Sequence, residues 1–290
     1  MTPPIPTTNS TNHTLKWMLI TASPDVARFA EEVGVHRIFV DMEVLGKAER
    51  QGHLNTHKAS HTLEDVAKVR EVLQRAELMV RLNPLNRETE DEVNAVISHG
   101  AQRLMLPMFQ SGRDVQVFLK LVDGRVPVTF LLETPQALVK LPTYISHLRE
   151  QDHIHIGLND LSLGLGADFL FEPIAAGLID PAAALLNDYG LQWGFGGIAR
   201  VGGGALPAEW ILSEHVRLGS KWVILSRAFH GGASTVEELT QQIDLVQELE
   251  NLRVYEHKWQ VAGEETLKQN REQFIAQTFA IAEGKATVRI

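Results

Sequence analysis

Cysteine is absent from the 290 residues. That single absence removes disulfides, thiolate metal sites, iron–sulfur clusters and cysteine nucleophiles together. Positive charge is scarce: 27 Lys and Arg stand against 36 Asp and Glu, a formal net charge of −9. No Lys/Arg-rich run supplies the basic footprint that nucleic-acid phosphates require, so no nucleic-acid partner is expected. Long hydrophobic runs are missing too. None reaches the ~18 residues of a spanning helix, and no membrane role is expected. The first residues, Met1-Thr2-Pro3-Pro4-Ile5-Pro6, have neither a basic region nor an apolar centre and do not read as a signal peptide. Residues 1–14 are expected to be a disordered lead and the protein to be cytoplasmic. No Gly-x-Gly-x-x-Gly follows the first apolar run, which disfavours a doubly wound dinucleotide-binding sheet.

What the sequence does contain is a rhythm. Hydrophobic residues make up 44% and charged residues 22% of the chain, enough apolar material for a large core. Eight short apolar runs read as strands: Trp17–Ile20, Arg37–Val40, Leu78–Leu82, Arg103–Pro107, Val128–Leu132, Ile154–Leu158, Trp193–Ile198 and Trp222–Ser226. Amphipathic stretches such as Val26–Val33, Leu63–Leu73, Thr89–His99 and Asp114–Leu121 lie between them. Eight strands with right-handed crossovers close into an α/β fold of the (β/α)8 TIM-barrel type. The barrel is expected over residues 15–232. Residues 233–290 then form a C-terminal helical extension, in which Val236, Leu239, Ile243, Val246, Leu249, Phe274 and Phe279 fall at helical spacing. Such a face must be buried, against the barrel flank or a partner subunit.

Barrel enzymes keep their chemistry at the C-terminal ends of the strands. Those ends carry Asp41 and Glu43, Arg81 with Asn83, Pro107, Glu133, Asn159 with Asp160, Arg200, and Ser226 with Arg227. Glu133 and Asp160 follow neighbouring strands. Two carboxylates without thiolates suit a hard divalent ion such as Mg²⁺ or Mn²⁺, although either could instead cap a helix or pair with Arg81. Arg81 can fork onto a carboxylate or an enolate oxygen, or form an ion pair with Asp41 or Glu43. His53, His57 and His61 share a spacing of four in the long loop Glu43–Thr62. They read better as a solvated or pocket-lining loop than as a zinc site, because no fourth ligand is near. Gly202-Gly203-Gly204 before Pro207 is a weak candidate anion cradle.

Five segments in order then point to a family: Phe39-Val40-Asp41-Met42-Glu43, Val80-Arg81-Leu82-Asn83, Gly100-Ala101 with Leu106-Pro107-Met108, Leu132-Glu133-Thr134-Pro135, and Ile156-Gly157-Leu158-Asn159-Asp160-Leu161 continuing to Gly166. Across residues 15–230 the chain resembles the metal-dependent class II pyruvate aldolases of the dihydroxyheptenedioate aldolase and citrate lyase β-subunit family, within the phosphoenolpyruvate/pyruvate barrel superfamily. The resemblance implies a divalent metal (Mg, Mn or Co) on Glu133 and Asp160. It also implies Arg81 on the keto oxygen, and the turn Gly157, Asn159, Asp160 on the pyruvate carboxylate. The implied reaction is reversible cleavage of a 4-hydroxy-2-oxo acid to pyruvate and an aldehyde through a metal-bound enolate. The partners expected are small 2-oxo acids and aldehydes, and a homo-oligomer through the C-terminal helices.

Two departures matter. The dihydroxyheptenedioate type runs Asp-x-Glu-His, whereas here Val44 follows Asp41-Met42-Glu43. One of His53, His57 or His61 is therefore expected to act as the base, or else a water near Asp41 or Glu43. The stretch from Gln110 to Pro127 lacks the long insert of many relatives, so the aldehyde partner should differ. The competing readings are a non-catalytic oxoacid-binding relative and a hydroxyacyl-coenzyme A lyase.

Overall fold

The computed structural model describes residues 15–46 and 61–284. The expected unstructured lead, His53 and His57 lie outside these residues. Eight parallel strands close into a barrel in sequence order. They are β1 (Lys16–Ile20), β2 (Arg37–Asp41), β3 (Glu77–Arg81), β4 (Arg103–Leu106), β5 (Val128–Leu132), β6 (His153–Ile156), β7 (Trp193–Ile198) and β8 (Trp222–Leu225). β8 pairs in parallel with β1, Leu19 opposite Leu225, which seals the barrel. All eight expected strands are present, with ends moved by one or two residues.

The helices among the described residues are α1 (Pro24–Glu32), α2 (Leu63–Val72), α3 (Thr89–Ser98), α4 (Gly112–Val122), α5 (Pro135–Tyr144), α6 (Leu158–Leu165), α7 (Glu172–Ala175), α8 (Asp180–Asp188), α9 (Ala208–Leu218), α10 (Val236–Gln242), α11 (Leu245–Gln260) and α12 (Glu264–Ala282). Their starts are written in the sequence. Ser23 caps α1 ahead of Pro24, Thr62 and Asp65 form a capping box on α2, and Thr134 caps α5 ahead of Pro135. In each case a side-chain oxygen accepts a backbone N–H that has no partner within the helix.

Strand alternation sorts the apolar residues into two separate clusters. Trp17, Leu19, Ile38, Val40, Leu78, Val80, Phe130 and Ile156 belong to the large outer core beneath the helices. Met18, Phe39, Met79, Met105, Leu131 and Trp222 form the smaller cluster inside the barrel. Below that inner layer, at the N-terminal mouth, the strand starts are charged. Arg37 Nε donates to Glu77 at 2.7 Å, and Arg103 Nε donates to both Glu77 oxygens at 3.0 Å. The Arg37 guanidinium lies 3.8 Å from the Trp222 ring centroid and donates to His153 Nδ1 at 3.3 Å. Burial, reinforced by the neighbouring Arg103, holds Arg37 down to about 9. Glu77 is held below the usual carboxylate range, because its two arginines outweigh its partial burial.

The C-terminal extension is three helices, and it buries most of its expected apolar face on its own barrel, whereas Val246 and Phe279 are exposed. Leu239, Ile243, Leu245, Leu249, Leu252, Trp259 and Phe274 join the outer core. Helices α11 and α12 pack on α9, and α12 also packs on α7. Polar links tie the same surfaces: Arg271 donates to Glu214 at 2.7 Å and to the Ile174 carbonyl at 2.8 Å. The extension also holds the start of β1. Glu256 accepts the Leu15 N–H, and Arg253 donates to the Leu15 carbonyl.

Candidate active site

The C-terminal rim is built on the same alternation. Asp41 and Arg81 are register partners at the ends of β2 and β3, and both follow inward-facing residues by a step of two. Arg81 Nε and Nη2 donate to the two Asp41 oxygens at 2.8 Å each, a bidentate pair. Its Nε also lies 3.4 Å from Glu43. Burial by itself would lower the Arg81 pKa, but Asp41, then Glu43 and Glu133, raise it above its ordinary value. The guanidinium is therefore permanently charged and fixed in orientation. Asp41 accepts a further N–H from Glu43 at 3.2 Å, so its carboxylate is an orienting group.

Glu133 sits between the end of β5 and the Thr134 cap of α5. The Thr134 hydroxyl accepts the Ala137 N–H and donates to the Phe109 carbonyl at 2.8 Å, which fixes the turn carrying Glu133. One Glu133 oxygen accepts the Met108 N–H at 3.1 Å. Met108 has φ of 55°, a left-handed conformation that costs a residue with a side chain. Here it aims the amide at the carboxylate. Glu133 is 4% exposed and is pushed up to about 8, by burial above all. Asp160 and Glu43 add to the rise, while Arg81 opposes it.

Asp160 departs from expectation. It does not end a strand: β6 stops at Ile156, Gly157 is the helix cap, and Asp160 lies in the first turn of α6. Leu158 continues the apolar run and reads as the strand end, but Gly157 turns the chain first. The correction gives the site a helix N-terminus. The amides of Leu158, Asn159 and Asp160 open α6, where backbone N–H groups have no acceptor within the helix. Gly157 also makes room: a Cβ there would lie 2.8 Å from Glu133 Oε2 and 2.9 Å from Glu133 Cβ.

The residues fit a divalent ion held at an open site. Among the described residues no group of three histidine or acidic side chains stands ready as a metal cage. Glu133, buried and pushed up in company with Asp160, is the arrangement a hard cation relieves. Two carboxylates leave positions for water and substrate oxygens.

His61 is the one histidine of the expected trio inside the described residues. Its Nδ1 accepts the Asp41 N–H at 2.9 Å. An imidazole accepting at Nδ1 carries its proton on Nε2, so in this arrangement His61 is a donor and cannot serve as the general base. Asn83 is structural: its Oδ1 accepts the Val44 and Leu45 N–H groups at 2.9 Å, and its amide donates to Glu92. Gly202–Gly204 closes a turn on itself, with the Gly203 N–H donating to the Arg200 carbonyl. The sequence reading quoted Met108 only within a motif and missed its part in holding Glu133. No residue there announces a left-handed backbone, for which glycine is the usual sign.

Solved structures share the architecture. An HpcH/HpaI aldolase from Desulfitobacterium hafniense DCB-2 superposes with a TM-score of 0.56 at 15% identity, over 74% of this chain and 86% of that chain. An HpcH/HpaI aldolase/citrate lyase family protein from Burkholderia cenocepacia J2315 superposes with a TM-score of 0.58 at 15% identity, over 82% and 95%. At that identity the likeness concerns the fold. No curated protein matches the sequence. The HpcH/HpaI aldolase/citrate lyase family model matches residues 17–169, a span that carries Asp41, Arg81, Glu133 and Asp160, and the chain belongs to that family.

Proposed function

We propose that the protein is a metal-dependent aldolase that cleaves a 4-hydroxy-2-oxo acid reversibly to pyruvate and an aldehyde. The observation that carries this reading is the Arg81 guanidinium, clamped by Asp41 beside the buried Glu133. Glu133 and Asp160 would hold a divalent cation, Mg²⁺, Mn²⁺ or Co²⁺. Such an ion supplies Lewis-acid polarisation of the 2-oxo group. Arg81 stabilises negative charge on the 2-oxo oxygen as the C–C bond breaks. The amides that open α6 hold the substrate carboxylate. With Asp41 committed to Arg81 and His61 a donor, the base for the 4-hydroxyl is His53 or His57, which lie outside the described residues, or else a water near Glu43. Membership of an aldolase/citrate lyase family supports carbon–carbon lyase chemistry. Exposed Val254 and Val261 on the extension, 68% each, support assembly as a homo-oligomer.

The test is pyruvate release from a panel of 4-hydroxy-2-oxo acids. Release should need a divalent ion, vanish with EDTA and return on adding the metal. Borohydride trapping of pyruvate on a lysine would overturn the reading. A non-catalytic oxoacid-binding protein is favoured by Val44 and by the donor state of His61. It would bind pyruvate with a divalent ion yet exchange none of its methyl protons.

A further inference from the structure

The strand starts form a polar collar inside the N-terminal mouth. Met18, Met79, Met105, Leu131 and Trp222 face the barrel interior, so Lys16, Glu77, Arg103 and Thr129, each two residues before one of the first four, face it too. The Trp222 ring joins the collar: the Arg37 guanidinium lies 3.8 Å from its centroid, the Lys16 ammonium 5.2 Å and the His153 ring centroid 5.6 Å. Three members are cations, Lys16, Arg37 and Arg103. One, Glu77, is a carboxylate, and both arginines share it.

Donors outnumber acceptors in this collar. A guanidinium only donates, so His153 Nδ1, 3.3 Å from Arg37 Nη2, is the acceptor and the imidazole proton lies on Nε2. Burial, then Arg103, Arg37 and Lys16, hold His153 well below its ordinary pKa, so it stays neutral. His153 is 7% exposed, and no described residue accepts its Nε2–H. Thr129, its register partner, is 1% exposed, and its hydroxyl has no partner either. Arg37 Nη1 reaches the Met18 sulfur at 3.6 Å, a weak acceptor. The half-buried Lys16 ammonium rests over Trp222 and pairs with no carboxylate among the described residues. A water would bring two more protons into a place already rich in donors. An anion brings lone pairs and the missing negative charge.

We infer that the N-terminal mouth is a binding site for one small anion, held by Lys16, Arg37, Thr129 and His153 beside Trp222. The ligand is a halide, an inorganic phosphate or a single carboxylate group, each of which offers only acceptors. The site lies at the end of the barrel opposite Arg81 and Glu133, and the inference does not rest on the aldolase reading. Its occupant ties the stability of the barrel to the anions around it.

The test follows the melting midpoint of the full-length protein as chloride, phosphate or acetate replaces a bulky sulfonate at constant ionic strength and neutral pH. At least one of the three should raise the midpoint with the logarithmic dependence of a single site. A response to chloride alone assigns a halide, to phosphate an oxyanion, to acetate a carboxylate. Thr129→Val keeps the shape and removes the orphaned hydroxyl. It should melt no lower than wild type in the sulfonate, and bind the anion at least about tenfold more weakly. Lys16→Met keeps an apolar stem over Trp222 without the charge and should weaken binding by a similar factor. A midpoint that follows ionic strength whatever the anion overturns the inference. So does a response that either variant retains in full, which would put the anion elsewhere, at the amides that open α6 for one.

Discussion

The two mouths of the barrel hold the same chemistry with opposite bias. At the N-terminal mouth two guanidiniums, Arg37 and Arg103, share one carboxylate, Glu77. At the C-terminal rim one guanidinium, Arg81, serves Asp41 and Glu43 and faces Glu133 as well. The outcome at each carboxylate follows. Glu77 is drawn below the usual carboxylate range by its arginines. Glu133 remains at about 8 although Arg81 acts on it. A buried carboxylate with surplus cations around it is a structural plug. A buried carboxylate pushed up by burial and by other carboxylates is poised to take a cation or a proton.

The largest effect is expected from ending the chain at Gly232. Seven buried apolar side chains of the extension and the clamp on Leu15 would be lost. At about 1.5–3 kcal/mol each the loss is comparable to the ~5–15 kcal/mol of a whole domain. The truncated protein should be insoluble or molten by near-UV circular dichroism, and a soluble, active truncation would show the extension to be dispensable. Next come matched changes at the two mouths. Glu77→Gln leaves two buried cations without their anion and should cost about 3–5 kcal/mol of stability. Glu133→Gln should cost little stability, or gain some, yet cut pyruvate release by about 10²–10³-fold. Denaturant melts and pyruvate assays on the same two variants decide it. Equal losses of stability would erase the contrast between the mouths.

A smaller effect should appear with pH. His155, inside the barrel between the two mouths, donates from Nε2 to the Gly196 carbonyl at 3.1 Å and is held down to about 4, by burial first. Its folded pKa lies below the unfolded value near 6.5. Its contribution to stability is therefore complete above about pH 6.5 and is lost as pH falls from there toward 4. The loss between pH 7 and pH 5 should be about 2 kcal/mol. His155→Gln, which can still donate to Gly196, should flatten that acid limb in melting curves. If the limb is unchanged, His155 is not the group that sets it. The smallest effect belongs to Thr134→Ala, which removes the α5 cap beside Glu133 at a cost of about 1 kcal/mol. The melting temperature should drop by a few degrees, and metal affinity by less than tenfold.

Much of this was legible in the residues. Each strand is a short apolar run bounded by turn signals, and the alternation within it puts Asp41, Arg81 and Glu133 on the barrel axis as soon as the strand ends are placed. Other features depend on information a single chain reading lacks. Asp160 reads as following a strand end because Leu158 is apolar, and only the turn at Gly157 makes it helical. The tautomer of His61 is set by an amide twenty residues earlier in the chain. The left-handed Met108 has no signature, since glycine is the usual sign of that conformation. The spacing in the extension announces a buried face without saying what covers it, and α9 proved to be the surface.

The clamp on Leu15 has a consequence for synthesis. The first strand of the barrel in chain order is also the last to be secured. β1 needs Trp222–Leu225 to close the barrel, and its first residue then waits for Arg253 and Glu256. Contacts so far apart in the chain require most of it to be ordered before they repay the loop entropy. The nascent protein must therefore carry an open sheet edge on β1 until β8 and the extension have been made, and chaperone engagement should concentrate on that interval.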